Sequence, residues 1–419
     1  MSKANAHLRS GTILIFSLLL SSSQVQDPAP DYHFRGQISE EVLRAYLDRA
    51  ITMAEVCTSP KFKVDGQDAF EQDNIRLIRN TGAKFIGRAI FRWGSEHSLN
   101  DPEFWSHAEK VIAQVHAFDE DVIFQAAVFE AVTQHVKLVP VPERVFQAFG
   151  LPLEKRNFSY KDMLFSSGRY QNHWGEGTSV PDITQRETKL WFYYLATSYI
   201  EAGIEAIHWG QVALMGAGDP DLRHWFEMTG LIRDYARDHA RRHFILHDAH
   251  APEGGFKSGD RLLMDFHSFP LRIKSVEDEA MKGILEVGHL DAIYHRSMGG
   301  LTASGWTCEH LPYLVEFDNF GISNHPGRAN NRDHYIWGYD EISWFSLLSP
   351  EEQKKWLEYA YTWVKKTDSD GYLQMPVCRV VSNGKDPVHK YKAHIKSEVC
   401  PGGTGLEAKI KELWSSPSS

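Results

Sequence analysis

Residues 243–270 read HFILHDAHAPEGGFKSGDRLLMDFHSFP, and this stretch contains the same event twice. A short apolar run, Phe244-Ile245-Leu246 and then Leu262-Leu263-Met264, stops at ionisable residues: His247, Asp248 and His250 in the first case, Asp265 and His267 in the second. Apolar runs this short read as buried strands, because a helix needs a longer 3.6-residue period to bury a face. Polar side chains at the end of a buried strand, before a Gly- and Pro-containing loop, are how parallel α/β proteins build sites. The stretch therefore predicts two strands that deliver ionisable groups to one common edge.

The pattern recurs on both sides. Upstream, residues 84–94 (KFIGRAIFRWG) predict a strand ending in Arg92 and Trp93, residues 122–130 (VIFQAAVFE) one ending at Glu130, and residues 204–209 (IEAIHW) one ending near His208 and Gln211. Downstream, residues 290–294 (LDAIY) precede Arg296, residues 312–319 (PYLVEFDN) carry Glu316 and Asp318, and residues 372–375 (YLQM) make a short eighth strand. Helical periodicity fills most of the gaps, at 39–56, 68–80, 102–117, 182–202, 219–241, 276–287 and 350–366. Strand–helix alternation at this count predicts an α/β fold, a (β/α)8 TIM-type barrel with extra N-terminal helices and a long insertion (residues 133–181) between its second and third strands. A doubly wound open sheet is the alternative, but no Gly-rich phosphate loop follows the first strand. Period-two alternation then puts Leu314, Glu316 and Asp318 inside, with Ile86, Arg88 and Ile90, Leu263, Asp265 and His267, His208 and Gln374 on the other strands.

At 419 residues the chain can bury a full core, and a net charge of −10 argues against a nucleic-acid or polybasic membrane role. Twelve Trp, sixteen Tyr and twenty-three Phe are more than a core needs, so some line surfaces where flat faces suit sugar rings. Lys3 and Arg9, the apolar run 12–20 (TILIFSLLL) and Ser21-Ser22-Ser23 have the order of a secretory signal peptide, and the run is too short to span a bilayer. The sequence thus predicts a leader over 1–26, a barrel over 27–384, a polar C-terminal extension over 385–419, and a secreted or periplasmic protein with no membrane attachment after cleavage. The four cysteines lack any zinc-ribbon or C-x-x-C spacing.

In a barrel the polar residues at strand C-termini surround one mouth. Arg92, Trp93, Glu130, His208, Gln211, Asp248, His250, Asp265, His267, Arg296, Glu316 and Asp318 are the candidates, joined by Trp174 and Trp337 from loops. So many ionisable groups on one face are costly unless they are paired or bind something. A structural ion-pair network between Arg88 and the deeper carboxylates is the plain alternative. The chemical reading is hydrolysis of an oligo- or polysaccharide by two carboxyl groups flanking a glycosidic bond, with no cofactor. Glu316 takes one role and Asp248 or Asp265 the other. His208, Gln211, His250, His267, Glu130, Asp318, Arg92 and Arg296 would bind hydroxyls, and Trp93, Trp174 and Trp337 would stack on rings. A second reading uses His247, Asp248, His250, Asp265 and His267 as metal ligands for a metal-dependent hydrolase, although no established ligand spacing is present. A third is a barrel that binds sugar without turning it over.

The strand Val315-Glu316-Phe317-Asp318-Asn319, in an exported barrel, resembles the large clan of (β/α)8-barrel glycoside hydrolases. That resemblance implies a nucleophile after strand seven, which falls on Glu316, and an acid/base after strand four. The clan's Asn-Glu pair on strand four is absent; His247-Asp248 stands in that place.

Overall fold

The structure is a computed structural model that describes residues 30–63, 71–276, 279–319, 341–381 and 389–415, and its elements belong to the compact unit Tyr32–Ser419. The leader expected over 1–26 and Trp337 lie outside the described residues. Helix α1 (Glu40–Leu47) is capped by Ser39, whose Oγ accepts the Val42 N–H, and carries Glu40 and Glu41 in its first turn. The helix expected over 39–56 ends there. Past Asp48 the β-branched Ile51 and Thr52 enter a strand, β1 (Ala50–Met53), because χ1-restricted side chains pack better on a pleated surface than in a further helical turn.

The chain then alternates through α2 (Glu71–Thr81), β2 (Phe85–Phe91), α3 (Pro102–His116), β3 (Ile123–Ala127), α4 (Arg186–Glu201), β4 (Ala206–His208), α5 (Arg223–His239) and β5 (Leu246–Asp248). Strands β6 (His267–Pro270) and β7 (Tyr313–Glu316) follow, then α6 (Glu341–Leu347), α7 (Pro350–Thr367) and β8 (Gly371–Leu373, continued by Met375–Val381). Parallel pairing links β8, β1, β2, β3, β4 and β5 in that order, and β6, β7 and β8 likewise. A parallel bridge between His250 and Ser268 joins β5 to β6, with the Ser268 N–H donating to the Ala249 carbonyl at 3.1 Å. Hydrogen-bonded neighbours therefore run round eight parallel strands and return to the first.

Two shells of packing follow from the pleat. Ile51, Ile86, Phe124, Ile207, Ile245, Val315 and Leu373 face the helices in the larger core. Ala50, Phe85, Ile123, Ala206, Leu246, Phe266, Leu314 and Tyr372 fill the ring at its N-terminal end. Two residues along each strand, side chains return to the same side. The next layer is therefore Thr52, Gly87, Gln125, His208, Asp248, Ser268, Glu316 and Gln374. The apolar floor gives way to a polar layer within one step of the pleat. Gly87 is required here, since a Cβ at that position would lie 1.9 Å from Gln374 Nε2.

Several expectations need correction. Where 276–287 is helical by propensity, Glu279–Ile284 is a strand that pairs antiparallel with Lys274–Val276, and residues 290–294 form no strand. No helix intervenes from β5 to β6 or from β6 to β7 among the described residues; short strands at 257–258, 261–262, 300–301 and 307–308 form a small sheet instead. One missed strand at the start and one surplus near residue 290 cancel, so Glu316 stays on strand seven while His247-Asp248 moves from strand four to strand five. The long segment falls between β3 and β4; within it Val132–Thr133 pairs with Thr178–Ser179, Glu143–Ala148 is helical, and Val139, Phe146, Phe158 and Met163 are buried. One helix, not two, precedes the first strand. The C-terminal segment is folded onto the ring: β9 (His389–Lys392) pairs antiparallel with β8, and Glu407, opening α8 (Glu407–Ser415), accepts two hydrogen bonds from Arg76 of α2 at 2.7 and 2.8 Å.

Candidate functional site

The polar layer continues upward into a network of charges at the C-terminal ends of the strands. Arg88 reaches it through a backbone irregularity. Its φ is +56°, in the left-handed region, and the β2–β3 register shifts between Ile86 and Ile90, which is a bulge. Two extra residues sit on β2 there, so parity is the same on both sides of the bulge and Arg88 alone is turned. Ile86 and Ile90, expected inside, pack in the outer core, while Arg88 turns inward with its N–H donating to Gln125 Oε1 at 3.1 Å.

Glu316 is the hub. Its Oε2 accepts from Arg88 Nε at 3.2 Å and from Arg379 Nη1 at 2.6 Å, and its Oε1 takes Arg88 Nη2 and lies 3.2 Å from His250 Nε2. Arg379, from β8, also donates to Asp318 Oδ1 at 2.8 Å and to Asn319 Oδ1 at 2.9 Å. Burial pushes the Glu316 pKa up, but the two guanidiniums and the His250 hydrogen bond outweigh it and hold the carboxyl well below the usual carboxylate range. Asp318 is lowered too: burial and Glu316 raise it, while His250, Arg379 and Arg88 prevail.

Beside this hub, Asp248 on β5 is clamped by two neighbours. Gln125 Nε2 donates to Oδ1 at 2.6 Å, and His208 Nδ1 lies 2.7 Å from Oδ2. His208 and His250 meet edge to face with centroids 4.9 Å apart, so the row runs Asp248, His208, His250, Glu316. Burial, then the nearby Arg88, bring His208 down to about 4 although Asp248 acts the other way.

Above the row lie aromatic rings. Phe129 contacts His208 at 6.1 Å and lies under the Arg88 guanidinium at 5.4 Å. Trp93 packs on Phe129 and on Trp174, both at 5.4 Å, and the two Trp side chains remain 44 % and 37 % exposed. Trp174 is fixed by its Nε1–H donating to the Glu130 carbonyl at 2.9 Å.

The structure thus brings Glu316, Asp318, Asp248, His250 and His208 together under Trp93 and Trp174, and takes other candidates elsewhere. Asp265 precedes β6 and faces α5, where Arg233 donates to it at 2.9 Å and the His247 N–H at 2.8 Å. His247 turns the same way and takes the Trp209 indole N–H at 2.9 Å. His267 is wholly buried against Ser297, 3.1 Å away. Asp265 and His267 fall outward because Phe266 and Ser268 take the inward positions there, and His247 because Leu246 and Asp248 do so on β5. The metal-ligand set at the expected strands four and five is thereby split between two sides of the ring. Arg92, past the bulge, points to the helices and holds Glu55 and the Phe62 carbonyl. Glu130 and Gln211 bind one another at 3.1 Å and tie two loops. Arg296 donates to the carbonyls of Ala292 and Pro252, and lines a separate cleft of ≈ 540 Å³ with Lys257 and His310.

Sequence reasoning missed Arg379, Gln125, Phe129 and Ser268 as members of this site. Gln125 and Ser268 were accessible from the period-two pattern once the strand ends were right; Arg379 sits past the expected end of strand eight. Among the described residues, His250, Glu316 and Asp318 each place one ligand atom within 4.8 Å of the others. Arg88 and Arg379 already neutralise those carboxylates, so a divalent cation would have to displace a guanidinium.

Neither a family model nor a curated protein sequence matches the chain. The solved structures it is similar to include glycoside hydrolases. They include the debranching enzyme of Nostoc punctiforme soaked with acarbose, 9% identical over 88% of this chain and 81% of that one with a TM-score of 0.45. The α-amylase of Geobacillus thermoleovorans complexed with acarbose is 12% identical over 88% and 80%, at 0.44. Endo-glycoceramidase II of Rhodococcus sp. is 11% identical over 78% and 72%, at 0.38.

Proposed function

We propose that this protein is an exported carbohydrate-active enzyme that hydrolyses glycosidic bonds at the C-terminal end of its strand ring. The observation that carries the reading is the convergence of Glu316 on β7 and Asp248 on β5, two strands apart in the ring, near the exposed Trp93 and Trp174. Glycosidic cleavage passes through an oxocarbenium-like state, which an ionised carboxylate stabilises, and it needs a second group for proton transfer. Glu316, held anionic by Arg88 and Arg379, suits the first task. The hydrogen-bonded pair Asp248 and His208 offers the second. Exposed indoles beside the charges offer flat faces for sugar rings. In the strand order found here the strand-four end reads His208-Trp209-Gly210-Gln211 and has no carboxylate; the carboxylate beside His208, that of Asp248, comes from strand five.

The test is release of reducing ends from a panel of polysaccharides, and of p-nitrophenol from aryl glycosides, with Glu316→Gln as control. Turnover abolished by that change in protein that is still folded supports the reading. Binding of a glycan without turnover would instead make the protein a sugar-binding barrel, and turnover that survives Glu316→Gln would remove Glu316 from the mechanism.

A further inference from the structure

His208 is 2 % exposed, and its Nε2 has no hydrogen-bond partner among the described residues. Leaving a buried ring nitrogen unmatched costs free energy, so such an atom calls for an explanation. Its other nitrogen is tightly specified. Asp248 Oδ2 lies 2.7 Å from Nδ1, and the second Asp248 oxygen is fixed by Gln125 at 2.6 Å. A carboxylate accepts only, so Nδ1 carries the proton and Nε2 presents its lone pair on the side of the ring away from Asp248.

We propose that His208 Nε2 is the proton acceptor of this site and that Asp248 is its positioning residue. This deepens the glycoside-hydrolase reading and rests on it. In the step, a water O–H proton passes to Nε2 while the water oxygen bonds to the anomeric carbon. The glycosidic C–O bond breaks with its electron pair on the leaving oxygen, which takes a proton from solvent. The imidazolium returns its proton to solvent, so nothing accumulates. Asp248 stabilises that imidazolium, and Glu316 faces the positive charge on the sugar.

The groups around the ring are consistent with a neutral imidazole at rest. Arg88 from the β2 bulge disfavours a proton there, Asp248 favours one, and His250 and Ser268 Oγ, 3.4 Å from Nδ1, complete the surroundings. Burial and Arg88 prevail, and the ring is uncharged at neutral pH.

Two measurements on the full chain test this. The first is the nitrogen chemical shifts of His208 in ¹⁵N-histidine-labelled protein at pH 7, assigned with His208→Gln. An Nδ1–H tautomer with bare Nε2 is expected; a proton on Nε2 overturns the proposal whatever the substrate. The second is kinetics on whichever aryl glycoside of the panel the parent hydrolyses. Asp248→Asn should lower kcat by about 10²–10⁴-fold with KM little changed, and Asp248→Glu should recover part of the loss. A folded Asp248→Asn protein with parental kcat overturns the proposal. Should the parent hydrolyse none of the panel, the functional reading fails while the tautomer still decides whether His208 is set up as an acceptor.

Discussion

Replacing Glu316 with Gln should destabilise the protein as well as affect any reaction. Two anions, Glu316 and Asp318, face two cations, Arg88 and Arg379, in a region where Glu316 and the guanidinium side chains are 6 % exposed or less. Glu316 occupies four hydrogen-bond directions, two toward Arg88, one toward Arg379 and one toward His250. An amide keeps one acceptor oxygen and turns an NH2 group toward guanidinium donors. The cluster then carries one uncompensated buried positive charge, and breaking a buried pair in this way costs about 3–5 kcal/mol. Asp318 compensates only in part, since Arg88 lies 4.0 Å from it. Adding Arg88→Met removes the surplus charge and should recover about 1–4 kcal/mol relative to the single variant. Urea unfolding at pH 7, read as the midpoint and slope of one cooperative transition, measures both. A loss below about 1 kcal/mol in Glu316→Gln, or a double variant less stable than the single one, would refute an electrostatically closed network.

Other outcomes follow from residues placed on either side of the ring. Trp93→Ala and Trp174→Ala remove exposed rings and should weaken binding of a glycan that the parent binds, with stability changing by less than about 1 kcal/mol; unchanged affinity in both would show that these faces are not used. Asp265→Asn should cost about 3 kcal/mol by unpairing Arg233, yet leave kcat of the folded enzyme at the parent value, and a large drop in kcat would return Asp265 to the site. Burial holds the wholly buried His267 at about 3, against 6.5 for an unfolded imidazole. Between those values the unfolded chain binds the extra proton, so stability falls as pH drops below 6.5. His267→Asn should flatten that slope by up to about 1.4 kcal/mol per pH unit between pH 6 and 4, and an unchanged slope would contradict a neutral buried ring.

Much of this was legible in the chain. Periodicity alone placed Leu314, Glu316 and Asp318 inside and Val315 and Phe317 outside, because pleat geometry fixes which side chains share a face whatever lies across from them. The same rule placed His208 and Gln374. It failed where the backbone breaks the period. The bulge turns Arg88 inward while Ile86, Ile90 and Arg92, all of one parity, go outward, and no residue pattern marks a φ of +56° on an arginine. It failed again at Asp265 and His267, where the strand starts later than the apolar run Leu262-Leu263-Met264 suggests, since pairing with β7 and not hydrophobicity sets the start. In the helix-favouring stretch 276–287, Glu279–Ile284 is a strand paired with Lys274–Val276 for the same kind of reason: local propensity is weak beside tertiary packing.

The sequence by itself determined the α/β class, the strand that carries Glu316 and the kinds of group available at strand ends, because these depend on period and composition within a few residues. Only the tertiary structure decided which of those groups meet. Closing eight strands into a ring brings Arg88, Arg379, His250 and Asp248 to Glu316 from positions up to 228 residues away in sequence, and sends equally polar neighbours to the helix side. Charge pairing acts through space over a few ångströms, and chain order carries no record of that distance until the strands are in register.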